Sequence, residues 1–209
     1  MACTPLLCSP MKAALGWVLC LGATAMFGQE PPELKPFILL SSHGELSRPM
    51  PVVRSQAVGW VLNGEHHHVT VSAHLGNGGG RAPFEAYLMR TIGPGTTRRD
   101  EIAGESFDLP YPFDGWVDLF TDLDLAPGEY WLIIGRSKET AFSSINWFVE
   151  TPRQLTGSCT FRYLGSQSYI FYSDTADYLP ASKFEKKVEP YGFEFEVFDL
   201  RPAGMTECP

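Results

Sequence analysis

The sequence lacks any helix-period segment longer than a turn or two, any run of basic residues, and any second apolar stretch of membrane-spanning length beyond its first 28 residues. It is also poor in cysteine and in histidine, with 5 of each among 209 residues. Without about 20 successive apolar residues, no helical span is expected in the body of the chain. Nucleic acid is not an expected partner, because displacing phosphate counterions needs a cationic footprint and the formal net charge is −8. No nucleophile elbow, zinc-protease helix, phosphate loop or paired redox cysteine motif occurs, so no catalytic residue is nominated. The glycine-rich stretch at 76–80 follows a strand pattern and opens no helix, which removes a dinucleotide reading.

What the sequence does have begins at its N-terminal end. Lys12 precedes an uncharged apolar run over residues 13–28 that contains the small-x-small pattern Ala23-Thr24-Ala25. That is the layout of a secretory signal peptide, with cleavage expected after Ala25 or Gly28. Met11-Lys12 opens a normal positively charged n-region, so Met11 is the expected start. Leu19, ahead of Cys20, is too large for lipoprotein processing, and lipidation is not expected. The chain is therefore expected to be secreted, periplasmic or displayed at the cell surface. Beyond the signal lie all 24 acidic residues and 15 of the 16 basic ones, a net charge of about −9. Of the cysteines only Cys159 and Cys208 remain there, an even pair that an oxidising compartment would join, with two unpaired thiols as the alternative.

Residues 29–36 form a proline-rich polar lead, and residues 37–209 are read as one domain. Val, Ile, Phe, Tyr and Trp recur in short stretches separated by Gly, Pro, Asn and Asp clusters, which is the all-β signature. The clearest strand covers 191–200, where Tyr191, Phe193, Phe195 and Val197 alternate with Gly192, Glu194 and Glu196. One face is expected in the core and the other in water. Val69, Val71, Ala73 and Leu75 alternate in the same way with His68, Thr70, Ser72 and His74. Further strands are expected at 37–40, 58–62, 84–89, 116–120, 130–134, 145–149, 160–164 and 169–172. Loops are expected at 76–83, 93–101 and 173–188, the last with one short helical turn. The fold class that follows is all-β: a two-sheet antiparallel β-sandwich of jelly-roll or Greek-key type.

Residues 120–134, including Asp122-Leu123-Asp124-Leu125-Ala126-Pro127-Gly128-Glu129-Tyr130, resemble a phrase of secreted bacterial β-sandwich modules of the kind found in PEP-CTERM-type surface proteins. Pro127-Gly128 makes a turn, and Tyr130, Leu132 and Ile134 are expected to point into the core. The resemblance implies an extracellular module. The final residues, Met205 to Pro209, carry no Pro-Glu-Pro signal, so the sorting route is not expected to be shared.

Three constellations are candidates for chemistry. His66, His68 and His74 have equal parity, so on one regular strand they project together, and paired imidazoles are a route to a metal; a solvated strand start is the alternative. Asp114, Asp118, Asp122 and Asp124 are oxygen donors of the kind that hold a structural calcium, or else ordinary turn and surface carboxylates. No other cofactor is expected. Trp116, Trp131 and Trp147 are candidate binding rings, since flat exposed aromatics stack on sugars, and their alternative is to fill the core. The leading expectation is an exported, non-enzymatic binding or adhesion module whose partner is a glycan or a cell-surface component. The others are a sandwich-type polysaccharide hydrolase using a carboxylate pair such as Glu85 and Asp118, and a structural subunit of a surface assembly with an unpaired edge strand.

Overall fold

The computed structural model describes residues 32–44, 46–53, 55–136, 144–150, 154–159, 161–168 and 191–205. The signal peptide, the strand expected at 169–172, the loop at 173–188 and Cys208 lie outside the described residues. Among those described there are strands and one 3-10 turn, and no helix is long and apolar enough to cross a membrane.

The strands are β1 (Leu34–Ser42), β2 (Ser47–Pro51), β3 (Gln56–Leu62), β4 (His66–Asn77), β5 (Ala82–Met89), β6 (Glu101–Leu109) and β7 (Phe113–Leu125). They continue with β8 (Gly128–Arg136), β9 (Ile145–Glu150), β10 (Leu155–Thr156), β11 (Phe161–Ser168), β12 (Gly192–Phe193) and β13 (Phe195–Pro202). One sheet has the order β10-β1-β13-β4-β9-β12, with β7 beside β4 and β2 beside β9; the other has the order β11-β3-β8-β5-β6. Every pairing is antiparallel. Two antiparallel sheets packed face to face make a β-sandwich.

Period-two alternation builds the core between the sheets. Val69, Val71, Ala73 and Leu75 of β4, Tyr130, Leu132 and Ile134 of β8, and Phe193, Phe195 and Val197 are all fully buried there. Trp60 lies at the centre, stacked on Tyr130 and Phe195 at ring distances of 6.1 and 5.2 Å. Burying a side chain of this size stabilises the fold by about 2–3 kcal/mol. Strands β2 and β6 carry little signal: Ser47–Pro51 holds two prolines, and Glu101–Leu109 alternates only weakly. Tertiary pairing, to β9 and β5 respectively, decides both.

Two departures from regular alternation position the candidate site. The first is at the stretch read as one strand over 191–200. β12 runs antiparallel to β9, β13 runs antiparallel to β4, and β4 and β9 are antiparallel to each other. Those directions are compatible only if the chain turns sharply between β12 and β13. Glu194 is the apex of this V, wedged where β4 and β9 part. Its N–H donates to the Phe148 carbonyl at 2.9 Å, and its carbonyl accepts from the His74 N–H at 3.2 Å and the Trp147 indole N–H at 2.9 Å.

The second departure is a bulge near the start of β4. The register slips between His66 and Val69 against β7, and His68 has a positive φ of 53°. The extra residue reverses side-chain parity across it. His66 therefore turns inward with Val69, while Thr70, Ser72 and His74 face out.

On its own outer face, the five-stranded sheet carries a second apolar cluster of Ala57, Met89, Trp131 and Ile133. Gly59 makes room for it, because a Cβ there would lie 2.6 Å from the Trp131 ring. Cys159 is disulfide-bonded. Among the described residues β7 has no neighbour on its second edge, and its row of aspartates opposes addition of a further strand.

Candidate functional site

The outer face of the eight-stranded sheet carries a polar and aromatic row that β4 and β7 build together. Cα pairing sets His74 opposite Trp116, Ser72 opposite Asp118, and Gly76 opposite Asp114. The imidazole of His74 stacks between Trp116, at a centroid distance of 5.4 Å, and Phe148, at 4.1 Å. Its Nδ1 lies 2.6 Å from Glu194 Oε2 and its Nε2 lies 2.9 Å from Asp114 Oδ1. Carboxylates only accept, so both contacts are hydrogen bonds when both ring nitrogens carry protons. His43, just after β1, lies tilted at 5.9 Å from Trp116.

Behind this row sit two fully buried carboxylates, Glu150 and Glu194. The Glu150 Oε1 accepts from the Ser42 hydroxyl at 2.8 Å and the Gln154 N–H at 2.7 Å. Among the described residues, one oxygen of each carboxylate, Glu150 Oε2 and Glu194 Oε1, has no hydrogen-bond partner. Next along the face, a pocket of about 460 Å³ opens over Thr70, Asp118, Phe198 and Leu200.

Trp116 is 36 % exposed, whereas Trp147 is 0 % and Trp131 5 % exposed. Trp147 belongs to the core between the sheets and stacks on Phe193 at 4.4 Å, and Trp131 belongs to the apolar cluster outside the five-stranded sheet. Neither presents a face to a ligand. Of the three rings nominated from sequence, Trp116 is the one that does.

The face expected to be shared by His66, His68 and His74 does not form, because the bulge places His66 on the inner side and His74 on the outer. His66 Nδ1 is 3.4 Å from the buried Asp199, whose carboxylate is also gripped by Arg201 at 2.7 and 2.8 Å. His68 Nδ1 lies 2.6 Å from Asp122, and His67 Nδ1 lies 2.8 Å from Asp124. The four aspartates of the calcium expectation are thus strung along β7, each held by a different side chain: Asp114 by His74, Asp118 by the Ser72 hydroxyl at 2.6 Å, and the last two by His68 and His67. Among the described residues no three acidic, histidine or cysteine side chains converge as a metal site requires.

Glu85 and Asp118 are also kept apart. Glu85 accepts from the Tyr87 hydroxyl, out of phase with the core residues Phe84 and Ala86, so it lies on the outer face of the other sheet. Burial, reinforced by Glu85, holds the Tyr87 hydroxyl above the ordinary tyrosine range, which keeps it a donor. The sandwich stands between Glu85 and Asp118.

No family model, curated protein or solved structure matches this chain. Its site therefore rests on geometry.

The acid response follows from His66. Burial, the largest influence, lowers its pKa below 6.5 against the opposing pull of Asp199. The neutral ring is the form the fold accepts, so this contribution to stability is present above pH 6.5 and lost as pH falls through the lowered folded value. Thermal melts from pH 7.5 downward should show a drop in Tm beginning below pH 6.5, and His66→Gln should flatten it. An unchanged slope in that variant would assign the acid loss elsewhere.

Proposed function

We propose that this chain is an exported extracellular binding module whose ligand is a glycan. The observation that carries the reading is Trp116: a large ring, 36 % exposed, carried on the β4–β7 pair and flanked by Asp114 and Asp118. An aromatic plate receives the apolar face of a sugar ring, and neighbouring carboxylates accept from its hydroxyls. His74 pre-orients the plate from one side, so little side-chain freedom is lost on binding. The apolar run over residues 13–28 supports export.

The test is a broad glycan array and a cell-wall pull-down with the chain from Gln29 onward, repeated with Trp116→Ala. Binding should be retained by the parent and weakened roughly thirtyfold by the substitution, the effect of losing an aromatic anchor worth about 2 kcal/mol. No signal above background on either surface sinks the proposal.

A second reading, hydrolysis, is favoured by one observation: Asp118 and Asp122 line the same open pocket. Two carboxylates across a bound chain are the minimum for glycoside hydrolysis. Release of reducing ends from a bound polysaccharide, abolished by Asp118→Asn, separates this reading from binding alone.

A further inference from the structure

We propose that the pocket beside Trp116 is a second subsite of one trough, and that the trough takes an extended neutral glycan chain rather than a single sugar or an acidic one. This rests on the glycan reading of Trp116.

Continuity comes from strand parity. On β4, Thr70, Ser72 and His74 alternate with the core residues Val69, Val71, Ala73 and Leu75, so all three face outward. On β13, Phe198 and Leu200 alternate with the buried Val197 and Asp199 and share that outer face. Register places Leu34 with them, because Leu34 pairs with Pro202 and Pro36 with Leu200. Asp118 joins the two ends: it lies two residues from Trp116 on β7, is anchored by Ser72, and lines the pocket with Thr70. From Thr70 to His74 the trough runs four residues, about 13 Å along an extended strand. A single ring set on Trp116 would leave the pocket empty.

The lining sets the chemistry. The floor is apolar, with Leu34 51 % and Leu200 39 % exposed beside Phe198. The walls are Thr70, Thr121, Asp118 and Asp122, with the His68–Asp122 pair at one end. Apolar floor and hydroxyl or carboxylate walls suit a ligand with carbon-rich faces and hydroxyl edges. Among the described residues lining the pocket there is no lysine or arginine, and its carboxylates repel an anionic chain.

The experiment is calorimetric titration of the chain from Gln29 onward with β-linked glucose and N-acetylglucosamine oligomers, monomer to hexamer, and with a polyuronate of matched length. Affinity should rise about tenfold or more between monomer and trimer and then level off. Leu200→Asp, at an exposed position, should abolish that rise; Trp116→Ala should weaken every oligomer. A flat length series, an unchanged rise in Leu200→Asp, or tighter binding of the polyuronate overturns the trough while leaving the glycan reading standing. Absence of binding by every oligomer overturns both.

Discussion

Replacing Trp147 by alanine is expected to lower the melting temperature by about 10 °C or more, and replacing Trp116 by alanine to change it by only a degree or two. The residue type is the same, but the surroundings differ. Trp147 is fully buried, stacks on Phe193, and donates its indole N–H to the carbonyl of Glu194 at 2.9 Å. Its removal leaves a large cavity and takes away one of the two hydrogen bonds to the carbonyl at the apex of the β12–β13 turn. Losses of this kind cost about 3–5 kcal/mol, and each kcal/mol moves Tm by roughly 2–4 °C in a domain of this size. Trp116 gives up mainly its stack on His74, worth about 1 kcal/mol or less. Differential scanning calorimetry of the two variants decides the matter. A Trp147→Ala protein that melts within 2–3 °C of the parent would mean that the ring is not part of the core, and would return it to the list of ligand-facing aromatics.

The contrast between these tryptophans marks how far the sequence could be read. Alternation over residues 69–75 and 130–134 identifies core strands correctly, because a regular strand puts equal parity on one face. The two-sheet architecture follows, since so many half-apolar strands with short turns have few other ways to bury their faces. Parity also says that Trp131 opposes Tyr130 and Leu132, but only tertiary packing reveals that the outer face of that sheet carries an apolar cluster of its own, with Gly59 making room for the ring. For histidines 66, 68 and 74 parity fails outright, because a bulge at His68 cannot be seen in residue types; nothing in Glu65-His66-His67-His68 distinguishes a regular strand from one with an extra residue. Glu194 was legible as an outward residue and illegible as a buried one. Its surroundings come from Phe148 and His74, 46 and 120 positions away in the chain, which only the meeting of three strands brings together. The pocket is hidden for the same reason: its floor joins residues from opposite ends of the described chain.

Glu194→Ala is the second substitution with a large expected effect, and it tests whether that apex organises the site. The side chain is fully buried, with Oε2 2.6 Å from His74 Nδ1. Its removal leaves Nδ1 of a part-buried imidazole without that partner and opens a void between β4 and β9. Losing a buried hydrogen-bond partner and opening a void together cost about 3 kcal/mol, so Tm should fall by roughly 10 °C. Glu194→Gln keeps the shape and an acceptor for Nδ1 and should cost a fraction of that. In the double variant with His74→Ala the losses should fall well short of additive, because each substitution removes the same contact. The ligand consequence runs through the stack: His74 supports one face of Trp116, so Glu194→Gln should hold glycan affinity close to the parent's, while Glu194→Ala, assayed well below its Tm, should weaken it. If Glu194→Ala melts with the parent, the buried carboxylate is no part of the wedge. If it melts early but binds normally, Trp116 is held in place without His74, and the link from the buried apex to the exposed ring is broken.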